Sequence, residues 1–162
     1  MNRAKLQSAP PAAMRHPCGM SAVLRPVETD AEVAACFPAM RELRPHLSGA
    51  AEFVTRARRQ FADGYRLLAA CEGSSVVGLA GYRLTENLIR GRFCYVDDLV
   101  VLASKRRSGL GALLLDGVAA VARAEDVGFL VLDTGFDNLL GQRFYFRYGM
   151  LPAALRFSKP LV

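Results

Sequence analysis

An apolar run, YVDDLVVL at residues 95–102, carries two adjacent carboxylates, Asp97 and Asp98, and leads into the cation- and glycine-rich stretch KRRSGLG at residues 105–111. Aspartate suits strands poorly, because its short polar side chain competes for backbone hydrogen bonds. Neighbours in a strand face opposite ways, so at least one of the two carboxylates faces inward unless a bulge breaks the alternation. The stretch after them links a strand to a helix. Gly109 and Gly111 let the backbone approach a ligand closely, and the first N–H groups of the helix have no partner within it. Such a helix start suits a phosphate, and Arg106 and Arg107 add charge where a diphosphate would lie.

The same residues exclude other phosphate binders. No G-x-x-x-x-G-K-[ST] loop is present, so there is no Walker A site. Leu114 stands where a dinucleotide fingerprint needs its third glycine.

At this point the chain resembles the GCN5-related N-acetyltransferase (GNAT) superfamily. The pattern [RQ]-x-x-G-x-[GA] after an apolar strand stands as Arg106-Arg107-Ser108-Gly109-Leu110-Gly111. A second pattern, N-x-x-[AG]-x-x-F-Y-x-x-x-G-[FM], stands as NLLGQRFYFRYGM with Asn138, Gly141, Phe144, Tyr145, Gly149 and Met150. The resemblance runs from about Ala22 to the C-terminus. It implies acetyl-coenzyme A as cosubstrate and no metal. It also implies that Arg106, Arg107, Ser108, Gly109, Leu110, Gly111 and Ala112 hold the pyrophosphate. Leu99, Val100 and Val101 would pair with the pantetheine like an added strand, and Asn138 would contact the coenzyme arm.

Acetyl transfer to an amine needs two proton movements. An acceptor amine must lose a proton, and the departing thiolate should gain one. A carboxylate beside the thioester can take the first, and burial makes it a better base. Asp97 is preferred as that base, with Asp98 binding or orienting the amine. The structural alternative for either aspartate is to pin a β-bulge, which would also free a backbone N–H near Leu99 or Val100 for the thioester oxygen. Tyr145 is the proton donor for the thiolate, since a phenol with a pKa of about 10 matches an alkyl thiol. Its alternative is a place in the aromatic cluster of RFYFRY. Cys94 reads as a buried thiol rather than an acetyl carrier.

These groups must be positioned by an α/β (α+β) fold of the GNAT kind, a mixed central sheet flanked by helices in the order β-α-α-β-β-β-α-β-α-β. AVLRPV is the first strand. Thr29 and Glu32 form a capping box for a helix that Pro38 should kink, and Ser48 can cap the next helix. YRLLAACE, VVGLAGYRLTE and RFCYVDDLVVL form an antiparallel meander. Leu110, Leu114, Val118 and Val121 mark a helix ending at Gly128, FLVLDTG reads as a strand buried on both faces, a helix runs from about Leu139 to Tyr148, and ALRFSKPL is a final strand. Only the strand-helix-strand unit around Gly109 demands parallel pairing.

The chain has 162 residues and a formal charge of +6. Its size suits one domain, residues 21–162, after a disordered leader over residues 1–20. The charge favours anionic partners. Cys36, Cys71 and Cys94 lie in apolar runs, as in a reducing cytoplasm, and no C-x-x-C pair suggests a metal site. No apolar run reaches the roughly 20 residues of a membrane helix. The acceptor is expected to be a small-molecule or peptide amine. A coenzyme A-binding regulator without turnover is the alternative. A nucleic-acid module ranks last, because no helix-turn-helix spacing, zinc site or RNP-like motif is found. After Met150 little chain remains where many members of that family have two strands, so a partner chain could complete the edge in a homodimer.

Overall fold

A computed structural model describes residues 22–161, so the expected leader over residues 1–20 lies outside the described residues. Strand β1 (Val23–Val27) is followed by helices α1 (Asp30–Ala35), α2 (Phe37–Leu43) and α3 (Ala50–Ala62). Then come β2 (Tyr65–Glu72), β3 (Ser75–Asn87), β4 (Gly91–Val101), a 3-10 turn (Ala103–Lys105), α4 (Leu110–Ala124), β5 (Leu130–Leu132) and α5 (Leu139–Tyr148). The strands lie in sequence order, β1-β2-β3-β4-β5. The first four are antiparallel, and β5 joins β4 in parallel across the α4 crossover. The mixed α/β sheet and its meander are thus as expected from the sequence.

Two cores sandwich the sheet. Val33, Cys36 and Met40 from the first two helices and Phe53 and Ala57 from α3 pack on one face with Leu79 and Val100. Leu110, Leu114, Leu115 and Val118 of α4 pack on the other with Leu68, Ala80, Cys94 and Val96. Apolar residues three and four apart on each helix make these stripes. The Thr29–Glu32 capping box is present: the Thr29 hydroxyl accepts from Glu32 N, and the Glu32 carboxylate accepts from Thr29 N at 2.9 Å.

Several local expectations are corrected. The first helix does not kink but breaks at Cys36, and Pro38 falls in the first turn of α2, where a missing N–H costs nothing. Ser48 does not cap α3; Gly49 occupies that position, while Ser48 N and Oγ donate to Glu52 at 2.8 and 2.7 Å. Helix α4 ends at Ala124, and the left-handed residue beyond it is Asp126, not Gly128. Strand β5 has three residues, all half-buried, because it is the sheet edge rather than an interior strand. Residues 151–161 form no strand and are exposed. With β5 offering so short an edge and Pro160 lacking a donor, this segment is tied instead by Arg156, which donates to Tyr95 Oη at 2.8 Å and also pairs with Asp133. No helix among the described residues is long and apolar enough to cross a membrane.

Candidate active site

The paired aspartates do break the alternation of β4. Gly81 of β3 faces Asp98, whereas its neighbour Tyr82 faces Val96, so Asp97 is the extra residue of a β-bulge. The bulge also reverses the alternation of β4: Cys94 and Val96 face α4, but Val100 faces the first three helices. Asp97 and Asp98 then part company. Asp97 Oδ2 accepts from Arg83 Nε at 2.9 Å, and no hydrogen bond among the described residues reaches its Oδ1. Asp98 uses both oxygens: Oδ1 accepts from Arg44 Nε at 2.9 Å, and Oδ2 accepts from the Tyr65 hydroxyl at 2.6 Å.

Beyond the bulge the sheet splits. Pairing of β4 with β3 continues to Val101 opposite Gly78, but pairing with β5 stops at Val96 opposite Leu132. Residues 97–101, among them Leu99, Val100 and Val101, therefore have one edge without a strand partner. Such an edge can take up an extended amide-bearing chain. Where the gap opens lies a cavity of about 210 Å³, lined by Arg44, Asp97, Leu99, Asp133, Asn138 and Tyr145 among others.

The glycine stretch forms the other wall. Gly109 is the residue before α4 at φ 86°, a left-handed conformation, and no side chain caps the helix. The N–H groups of Gly109, Leu110, Gly111 and Ala112 thus meet an anion-ready helix start. Leu110 is buried beneath it. Ser108 Oγ closes the turn by donating to Lys105 O at 2.6 Å. Arg107 is exposed at φ 62°. Arg106 donates to Val101 O at 3.3 Å and pairs with Glu42 at 3.1 Å. Gly111 has a packing reason as well: a Cβ there would lie 3.1 Å from Phe144 Cζ.

Tyr145, on α5, meets Asp97 at the same cavity. Its hydroxyl has no hydrogen-bond partner among the described residues, and burial pushes the phenol's pKa above its ordinary value. Asn138 also borders the cavity but caps α5: its Oδ1 accepts from Gly141 N and its Nδ2 donates to Thr134, each at 3.0 Å. The cysteines among the described residues are poor nucleophiles. Cys36, Cys71 and Cys94 are buried, and burial pushes the Cys36 thiol to about 12 and Cys94 to about 11.

Sequence reading missed Arg44, Tyr65 and Arg83, which are far from the aspartates in sequence and carry no motif. His46 is exposed and, with Arg44, Arg56, Tyr65 and Asp98, lines a second cavity of about 310 Å³. Glu86 and Asn87 border neither cavity; Asn87 Oδ1 accepts from Ile89 N and Arg90 N in the hairpin turn.

Comparisons with known proteins bear on the family and the fold. Residues 31–150 match the acetyltransferase (GNAT) family. An uncharacterized N-acetyltransferase of Bacillus subtilis, YhdJ, is 30% identical over 135 residues, covering 80% of this chain and 92% of that protein. The aminoglycoside N-acetyltransferase AAC(6')-Iy, solved in complex with CoA, superposes with a TM-score of 0.76 at 16% identity, covering 91% of this chain and 100% of that one. An acetyltransferase of Trypanosoma brucei gives a TM-score of 0.72 at 21% identity over 86% of this chain and 99% of its own. Glucosamine-6-phosphate N-acetyltransferase from Arabidopsis thaliana gives 0.69 at 18% identity, over 88% and 100%. The structural likenesses are likenesses of fold.

Proposed function

From the premise that this chain belongs to the acetyltransferase (GNAT) family and is an acetyl-CoA-dependent N-acetyltransferase, we propose that it passes the acetyl group directly to the amine of a small molecule or peptide, with Asp97 as base and Tyr145 as acid. The observation that carries this reading is the meeting of the two groups at one cavity, each with an oxygen that no described residue occupies. Coenzyme A supplies the acetyl thioester. The open helix start at Gly109 to Ala112 fits its diphosphate, and the unpaired edge of residues 97–101 fits its amide-bearing arm.

Asp97 Oδ1 takes a proton from the incoming ammonium group, leaving a lone pair for attack on the acetyl carbon. The Tyr145 hydroxyl gives its proton to the sulfur as the carbon–sulfur bond breaks, so the thiol leaves neutral, and the second proton of the attacking nitrogen reprotonates the tyrosinate, leaving a neutral amide. A backbone N–H beyond the bulge, at Leu99 or Val100, would hold the acyl oxygen. Both Asp98 oxygens already accept hydrogen bonds, whereas Asp97 Oδ1 accepts none from a described residue, which favours Asp97 as the base. Direct transfer is favoured because the described cysteines are buried thiols of raised pKa.

The amine is tested with acetyl-CoA against a panel: a polyamine, lysine, glucosamine, an aminoglycoside and a peptide N-terminus. The aminoglycoside and the amino sugar enter because structural neighbours bear those names. Thiol release with one panel member, lost in Asp97→Asn and Tyr145→Phe, is the expected result. Release undiminished in both variants would remove the assignment.

A further inference from the structure

Asp97 is held at two points, its carboxylate and its carbonyl, by two arginines, one lying over Tyr65 and the other linked to it through Asp98. Arg83 donates to Asp97 Oδ2 at 2.9 Å and lies over the Tyr65 ring, 5.3 Å from its centroid. Arg44 Nη2 donates to the Asp97 carbonyl at 3.2 Å. That guanidinium is fixed by Asp98 Oδ1, and Asp98 is fixed by the Tyr65 hydroxyl at 2.6 Å. Tyr65 itself is 3% exposed and stacks on Phe61.

Tyr65 stands on β2 and reaches Asp98 on β4 across the whole width of β3. It can do so only because β3 has Gly81 opposite Asp98: a Cβ at that position would lie 1.9 Å from the Tyr65 hydroxyl. The missing side chain is therefore a passage through the sheet surface for one phenol. A bulge leaves a carbonyl without its ladder partner and a strand free to change register. The Arg44 contact removes both freedoms.

We propose that Tyr65 is a positioning residue for acyl transfer, holding Asp97 at the bulge through Asp98 and Arg44 on one side and Arg83 on the other. This rests on the reading of Asp97 as base. A reacting group displaced by about 1 Å can lose on the order of a hundredfold in rate. Removing the hydroxyl frees Asp98 and Arg44 but keeps the ring beneath Arg83, so the loss should be smaller than that of Asp97 itself.

The test is a cycle of Tyr65→Phe, Asp97→Asn and the double variant. It is assayed with acetyl-CoA and whichever panel amine is acetylated fastest, with Tyr148→Phe as control. Tyr148 donates to Asp116 at 2.8 Å in the other core, so its variant also costs a phenol–carboxylate bond. Expected are a kcat at least about tenfold lower for Tyr65→Phe, an acetyl-CoA KM within about threefold, and a double variant no slower than Asp97→Asn. Tyr148→Phe should melt lower with kcat unchanged. Full activity per folded molecule in Tyr65→Phe, or losses that multiply in the double variant, would overturn the proposal. If Asp97→Asn alone is silent, the base assignment fails separately. Amide exchange of residues 97–101 then decides for Tyr65, as it does if no amine is acetylated: faster exchange in Tyr65→Phe but not Tyr148→Phe supports the latch, and unchanged exchange removes it.

Discussion

Glu42 and Arg106 meet at the mouth of the glycine loop, with Arg106 Nη2 3.1 Å from Glu42 Oε2. The same carboxylate accepts from Ala103 N at 2.9 and 3.1 Å, so one residue of α2 both starts the 3-10 turn and holds Arg106 of the loop. In the proposed coenzyme site a diphosphate would share Arg106 with Glu42.

A carboxylate beside a phosphate site repels the ligand, and partly exposed charges interact by up to about 1 kcal/mol. Glu42→Gln keeps an acceptor for Ala103 N while removing the charge. It should bind acetyl-CoA up to about fivefold more tightly in low salt, with the gain fading as salt screens it. Arg106→Ala should weaken binding only a few-fold, because the backbone donors of α4 remain. Calorimetry at two salt concentrations measures both. Weaker binding by Glu42→Gln would show that its charge supports the loop rather than competing with the ligand.

Gly109 is the loop residue whose backbone demands glycine, at φ 86°. A side chain there costs roughly 1–2 kcal/mol, more if β-branched. Gly109→Val should lower the melting temperature by several degrees and acetyl-CoA affinity by more than about tenfold, as the helix start turns away from the phosphates. Gly111→Val, the more obvious choice from the motif, would strike the Phe144 ring and mix packing with binding. Unchanged affinity in a folded Gly109→Val protein would remove the loop from the site.

What could be read in the sequence is what local chemistry dictates. The Thr29–Glu32 box, the bulge that stood as the alternative reading of two aspartates in an apolar run, and the strand–glycine–helix junction all depend on neighbours within a few residues. Ser48 was misjudged because Glu52, one turn on, takes its donors before a helix N–H can use its oxygen. The final strand was misjudged because strand formation at residues 151–161 needs an edge, and β5 provides three residues. Tyr65, Gly81, Arg83 and Arg44 were illegible for the same reason in reverse. Their link to the aspartates exists only once β2, β3 and β4 lie side by side, and no spacing along the chain announces it.

Asp97→Asn should lower turnover by about a hundredfold or more near neutral pH, the usual contribution of a general base. The deficit should shrink as pH rises, because the acceptor amine then loses its proton to solvent. Rate–pH profiles of the two proteins with one amine measure this. A deficit constant across pH, accompanied by a lower melting temperature, would instead mark Asp97 as a bulge residue that the chemistry does not use.

As the proposed acid Tyr145 would have to be protonated, and burial raises its pKa above the ordinary phenol value. The sign follows directly: the acid form persists through neutral pH, and wild-type turnover should not fall on its account until the pH passes about 10. Tyr145→Phe keeps the ring that packs on Phe144, with centroids 5.3 Å apart, and removes a hydroxyl that no described residue bonds. Stability should therefore change little, since no buried partner is stranded. Turnover should drop by about a hundredfold, with acetyl-CoA affinity within a few-fold, because thiolate charge develops only in the transition state. The residual rate, corrected for spontaneous thioester hydrolysis, should lack the alkaline fall. A variant that melts lower yet turns over normally per folded molecule would return Tyr145 to the aromatic cluster and leave the thiolate to be protonated by solvent.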